Sequence, residues 1–230
     1  SWCLEGKIKT GASVTGNQII AGRFQYSGGA GAAQPVIYLN STGVPTCVYR
    51  TAIPTTIALV GVTALLANTQ YDIAANCDGV TARLFVNGVM VSSAAATSIE
   101  AADNSTPFMI GRDSDIQISQ NGGYPFSGTI EEVRLSSVSR GYGALGYVPA
   151  TAPFASDAST IGLWHLDTIT GTGLTMTTPD SGPNGYTGNL VRSPFNDSIY
   201  LSGTVADPVA PSVTTTAVNC LVFSSLSHYH

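Results

Sequence analysis

Two adjacent glutamates, Glu131 and Glu132 in TIEEVRL, are the first residues of the chain to ask for chemistry. Hydrolysis of a glycosidic bond needs two carboxylates about 5 to 9 Å apart across a cleft. Neighbours on a strand point to opposite faces, so these two do not make that pair. Regular alternation puts Glu131 in phase with Val133 and Leu135, facing inward, unless a bulge lies between them. A carboxylate so placed needs a cation or hydrogen-bond donors, and an ion pair with Arg83 or Arg134 would serve. His165, His228 and His230 form no triad with a marked serine, and no GxSxG elbow occurs. Catalysis is not expected.

Cysteine is the next reactive type. Cys3, Cys47, Cys77 and Cys220 show neither CxxC spacing nor a nearby histidine, which argues against zinc. An even number in a weakly charged chain points to disulfides in an oxidising compartment. Three pairings exist; the preferred one joins Cys47 to Cys77 and Cys3 to Cys220, with four buried free thiols as the competing reading. The first bridge would close a loop of about 30 residues and stabilise by roughly 3 to 4 kcal/mol.

Tyrosines beside glycine-rich loops have the apolar body and polar tip that stack on sugars. Tyr124, Tyr142 and Tyr147 are the glycan-contact candidates, with Tyr26 and Tyr186 in similar settings; the competing reading makes them loop anchors. Trp2 and Trp164 sit inside apolar runs and read as core. Asn40, Asn104 and Asn196 begin N-x-S/T sequences, which are glycosylation acceptors only in a eukaryotic secretory route.

The elements that must position these residues are strands. Charged residues are only 10% of the 230 and the formal charge is −5 without runs, so no stretch is basic enough to track phosphates and nucleic acid is not an expected partner. No apolar run is long enough for a bilayer-spanning helix, and membrane insertion is not expected. The chain starts at Ser1 without a signal-like leader and reads as a processed or excised segment.

From Leu4 to Leu135 the pattern is strand after strand. The clearest stretch, YDIAANCDGVTARLFVNGVMV (71–91), alternates apolar and polar residues around Asp78-Gly79 and Asn87-Gly88, dipeptides that accept the positive φ of tight hairpin turns. It predicts a three-strand meander with Tyr71, Ile73, Ala75 and Cys77 on one face. Further strands are expected near 2–9, 19–26, 36–40, 46–51, 56–60, 108–111 and 128–136, enough for a two-sheet antiparallel sandwich. GYGALGYVPATAPFASD (141–157) holds two prolines and no regular pattern, so 141–159 reads as a linker. IGLWHLD (161–167), residues 186–190 and NCLVF (219–223) resume the strands.

The ordered motifs YDIAANCDGV, LFVNG, PFMIGRD and FSGTIEEVRLSS resemble the laminin G-like modules of the concanavalin A-like lectin and glucanase superfamily. The resemblance implies an all-β jelly roll. IGLWHLD with DSGPNGYTGNL is similar to the opening of such a module and NCLVF to its second strand, so the family order is circularly shifted. Residues 1–140 then look like a sandwich lacking its opening strands, and 160–230 like the opening strands themselves. The glucanase members carry an ExDxxE-type strand that this chain lacks. The resemblance also implies a structural calcium ion, with Glu131, Asp180 and Asn184 as oxygen ligands.

A sandwich without those strands exposes unpaired backbone groups and must be completed. The tail closes back on its own sandwich or enters the next subunit. The second route, which the linker's resemblance to a joint between tandem modules favours, makes an extracellular filament or surface array of copies of the chain, assembled head to tail on a cell or virion surface. The alternative is a monomeric lectin-like module that binds glycans.

Overall fold

Alternating apolar residues and frequent turn dipeptides close the chain into two antiparallel sheets. The computed structural model describes residues 1–24, 33–52, 55–96, 108–112, 124–172, 176–192, 213–215 and 219–223, so Tyr26, Asn104, Asn196, His228 and His230 lie outside the described residues. In chain order the strands are β1 (Trp2–Thr10), β2 (Gln18–Phe24), β3 (Ala33–Leu39), β4 (Pro45–Ala52), β5 (Thr55–Val60), β6 (Gln70–Cys77), β7 (Thr81–Val86) and β8 (Val89–Ala95). They continue with β9 (Phe108–Ile110), β10 (Gly128–Ser136), β11 (Thr160–Trp164), β12 (Thr177–Thr178), β13 (Gly188–Arg192), β14 (Val213–Thr215) and β15 (Asn219–Phe223). No helix occurs among the described residues, and none is long and apolar enough to cross a membrane.

Sheet A runs β11-β10-β1-β6-β7-β8, with β14 also on β10; sheet B runs β12-β13-β15-β9-β2-β3-β4-β5. The expected meander is β6-β7-β8. Its second turn has Asn87 at φ 50° and Gly88 at φ 77°, the pair of positive values a two-residue hairpin requires. Strands from the last third of the chain take places in both sheets. β11 and β14 lie on β10, and β15 sits between β13 and β9.

The core fills the space between the sheets. Leu4 and Ile8 of β1, Ile73, Ala75 and Cys77 of β6, and Leu84 of β7 face Ile37 and Leu39 of β3 and Cys47 and Tyr49 of β4. Trp2 meets Tyr49 edge-on at 5.2 Å between ring centroids. Trp164, wholly buried, stacks on Phe108 at 5.6 Å and donates its Nε1–H to the Tyr186 carbonyl at 2.9 Å. Both tryptophans are core, as their apolar settings suggested.

One irregularity decides which acid is buried. The β1–β10 register passes from Lys7 opposite Glu132 to Ile8 opposite Ile130, which leaves Glu131 as the extra residue of a bulge. The phase therefore flips: Ile130, Val133 and Leu135 enter the core, and Glu132 and Arg134 turn to the outer face. The inward placement expected for Glu131 is corrected accordingly. Glu131 accepts instead from Gln70 Nε2 at 2.9 Å, in a hydrogen bond at the surface.

Candidate functional site

A β-sandwich has two outward faces, and here they differ. The outer face of sheet A is polar and carries Glu5 and Lys7 of β1, Asp72 and Asn76 of β6, and Glu132 and Arg134 of β10. Over it passes the segment expected to be a linker. Residues 137–159 form no strand, yet they are bonded along their length as a strap.

At its entry, Arg140 N–H donates to Asn76 Oδ1 at 2.9 Å, and the Arg140 guanidinium reaches Ser136, Thr160 and Asp157. This arginine hydrogen bond holds the Asp157 carboxyl well below the usual carboxylate range. Next, Tyr142 donates its hydroxyl to Glu5, which is itself paired with Arg134 Nε at 2.8 Å. Tyr147 donates to Asp72 Oδ1 at 3.2 Å. The Tyr142 and Tyr147 rings stack 3.9 Å apart, and both meet the edge of Phe85, a fully buried residue on the outer side of β7. Burial first, and then the neighbouring carboxylate, pushes both phenols far above the ordinary tyrosine value. Burial likewise raises the Asp72 carboxyl.

The exit of the strap is centred on Phe154. Its N–H donates to both oxygens of Glu132 at 3.1 and 2.9 Å, and its ring lies under Lys7 Nζ and the Arg134 guanidinium at 4.9 and 4.6 Å. Glu132 also takes Lys7 Nζ at 3.0 Å and His165 Nδ1 at 2.9 Å. The buried carboxylate of the pair is thus Glu132, and Lys7, His165 and a backbone amide satisfy it. Arg83, one of the two cations considered for that role, pairs with Asp78 at 2.6 Å, and Arg134, the other, with Glu5.

Tyr142 and Tyr147 are consequently anchors of this strap rather than open stacking rings. Tyr124 stands elsewhere. It has φ 50°, is 38% exposed, and its carbonyl accepts from Ile19 N at 2.9 Å at the head of β2. Ile19 pairs with Tyr38, Tyr38 with Thr46, and Thr46 with Val60, which defines one row across sheet B. Since Ile37 and Leu39 point into the core, Tyr38 points out. The next row carries Val48 opposite Ala58, also outward because Cys47 and Leu59 face the core. Tyr38, half-buried, was missed at the sequence level because it looks like any alternating strand residue; only the sheet order brings it near Tyr124.

The calcium set is not brought together. Asp180 Oδ1 accepts from Leu163 N at 2.7 Å and Gly182 N at 2.6 Å, and its Oδ2 from Tyr186 N at 2.9 Å. Asn184 donates to the Ile161 carbonyl at 2.8 Å. These two hold a turn against β11, whereas Glu131 leans toward β6 on the other side of β10. Among the described residues no group of three histidine, cysteine or acidic side chains is placed to hold a metal.

Cys3, Cys47 and Cys77 are buried free thiols, so the expected Cys47–Cys77 bridge is not formed. Cys47 and Cys77 belong to one core cluster but come from opposite sheets, and facing sheets pack about 10 Å apart, beyond the Cα separation a disulfide spans. Cys3 shares the covered outer side of sheet A with Glu5, Arg134 and Arg140, which turns it away from the strand of Cys220 in sheet B; the Cys220 side chain itself lies outside the described residues.

Among curated proteins none matches the chain. Among solved structures, a putative carbohydrate binding protein from Bacteroides ovatus aligns with a TM-score of 0.54 at 22% identity, over 78% of this chain and 49% of that one. The chain thus spans about half the length of that protein. The CBM40 of the Ruminococcus gnavus IT-sialidase, bound to α2,3 sialyllactose, aligns with a TM-score of 0.47 at 19% identity over 58% of this chain and 74% of that one. A sequence model of the concanavalin A-like lectin/glucanases superfamily, the third laminin G group, matches residues 4–141. With more than half its length matched and two antiparallel sheets in place, the chain belongs to the concanavalin A-like lectin/glucanases superfamily.

Proposed function

We propose that the chain is a non-catalytic, extracellular glycan-binding module, and that it binds on the outer face of sheet B. The observation that carries this reading is the difference between the two faces. Sheet A is closed by the chain's own strap, whereas on the outer side of sheet B Tyr38 and Val48 are half-buried and Ala58 and Tyr124 are exposed, around a floor of buried Ile19, Val36 and Thr46. Ring faces beside small apolar residues suit the C–H face of a sugar, and the phenol oxygens suit its hydroxyls. The description of the Bacteroides ovatus protein as a putative carbohydrate binding protein agrees with this reading.

Hydrolysis is disfavoured by how the acids are used. Glu5 and Glu132 are buried and committed to Arg134, Tyr142, Lys7, His165 and Phe154, and Glu131 is engaged by Gln70. Head-to-tail exchange of residues 160–230 would require the strap to deliver the tail to a neighbour. Its bonds to its own sheet at Asn76, Glu5, Glu132 and Asp157 favour delivery within the chain.

Screening the chain on a glycan array and titrating the best ligand by calorimetry tests the proposal. Tyr38→Ala and Tyr124→Ala are each expected to weaken binding about fivefold with the folded circular dichroism spectrum retained, since stacking on one ring contributes about 1 kcal/mol. Tyr142→Phe is expected to bind normally. Release of reducing sugar from a polysaccharide panel would overturn the non-catalytic part.

A further inference from the structure

The two sheets treat their charged residues differently. On sheet A and its strap, Lys7, Arg83, Arg134 and Arg140 are each paired with an acid of the chain itself. The four acids that stand on strands, Glu5, Asp72, Glu131 and Glu132, all belong to that sheet. Sheet B has the opposite make-up. Its strands carry Arg23, Arg50 and Arg192, with Arg112 two residues past the end of β9, and none of them holds an aspartate or a glutamate.

Arg112 is the sharpest case. It is only 6% exposed, and among the described residues it makes neither a hydrogen bond nor an ion pair. A guanidinium stays protonated in proteins, so it cannot reduce the cost of burial by becoming neutral. Buried charges are ordinarily paired, and one that takes no acid from its own chain is suited to take one from a ligand.

Backbone bonds fix where this charge leaves the sheet. Gly111 N–H donates to the Ile20 carbonyl at 2.8 Å, Gly111 C=O accepts from Phe126 N–H at 2.9 Å, and Tyr124 C=O accepts from Ile19 N–H at 2.9 Å. Arg112 therefore departs where β2 meets the segment of Tyr124, beside the row of Ile19, Tyr38 and Thr46. Arg50, two residues beyond Val48 on the same outward face and opposite Thr56, adds a second positive charge to that side.

We propose that the glycan bound on sheet B is an acidic one, bearing a carboxylate or a sulfate, and that Arg112 recognises the acidic group. This rests on the glycan-binding reading and narrows it. The guanidinium fork offers parallel N–H groups to either oxyanion, a geometry that a single sugar hydroxyl does not fill. Selectivity follows from burial: a neutral sugar leaves the charge uncompensated, whereas an oxyanion neutralises it where water is scarce.

The test is an array of matched glycans, the same chains with carboxylates free or methyl-esterified and with sulfates present or removed, probed with the native chain and with Arg112→Gln. The native chain is expected to bind one of the two acidic arms at least tenfold more tightly than its neutralised counterpart, since a hydrogen bond to a charged group is worth that much. Added salt should weaken that binding. Arg112→Gln is expected to lose the preference for acid over ester, a ratio that a purely structural role would leave unchanged. Arg112→Lys, which keeps the charge without the fork, should retain part of it. Equal binding of acidic and neutralised forms by the native chain, or a folded Arg112→Gln that keeps the preference, would overturn this inference and leave glycan binding standing. No binding to any glycan would overturn the glycan reading and this inference with it. Should Arg112→Gln fail to fold, the matched pairs on the native chain and the Arg112→Lys ratio still decide.

Discussion

At the scale of single residues, two side chains show what this core tolerates. Tyr49 is fully buried, and its hydroxyl and Trp2 Nε1 have no hydrogen-bond partner among the described residues. Burial accounts first for the upward displacement of the Tyr49 phenol. An unmade buried hydrogen bond costs about 1 kcal/mol or more, so Tyr49→Phe is expected to raise the stability by about 1 kcal/mol and the melting temperature by about 2 to 4 °C. A calorimetric scan that shows a drop instead would mean that the hydroxyl is satisfied in solution. Gly162 has the opposite character. A methyl group there would lie 2.2 Å from the Trp164 ring, so Gly162→Ala is expected to push the ring off Phe108 and cost about 1 to 3 kcal/mol. Tryptophan fluorescence shifting to the red together with a lower melting temperature checks both halves of that expectation.

Among the elements, the strap has the most distinctive pH signature. Tyr142 and Tyr147 ionise at higher pH in the folded chain than in the unfolded one, because burial and the Glu5 and Asp72 carboxylates oppose the phenolate. Their stabilising contribution is therefore complete below about pH 10 and is lost as the pH rises toward the folded-state values. Melting curves collected through the alkaline range should show a fall in stability from about pH 10 upward. The fall should be smaller in the double variant Tyr142→Phe with Tyr147→Phe, and an identical slope would place the alkaline loss outside the strap.

Much of this element was hidden in the sequence for a definable reason. Alternation and turn dipeptides made β6, β7, β10 and β15 readable, because each local choice there agrees with the sheet. The strap has no period to read, and its contacts reach residues that only the sheet order assembles: Tyr142 finds Glu5, and Phe154 finds Lys7 and Arg134. The bulge at Glu131 was foreseeable as an option but not as a fact, since an extra residue leaves no compositional mark. Thr177–Thr178 and Val213–Thr215 were missed because two or three residues are too short to show alternation. For the candidate site the balance was poorer. Tyr124 is a candidate on its loop setting alone, while Tyr38 becomes one only because β2, β3 and β4 are neighbours.

On the scale of the whole molecule, the last third of the chain contributes strands to both sheets, and the strap that leads to it covers one of them. β10 and β11 are antiparallel neighbours, yet the chain between them does not turn directly but runs out over sheet A and back. Ser137 N–H meets the Ser159 carbonyl at 2.9 Å, which makes the two ends of the crossing immediate neighbours. In topological terms the crossing is a detour, long in residues and almost zero in displacement. A short turn between those serines would keep β10 and β11 in register and would uncover Glu5, Lys7, Asp72 and Arg134 together, turning an internal seal into a second polar receptor surface.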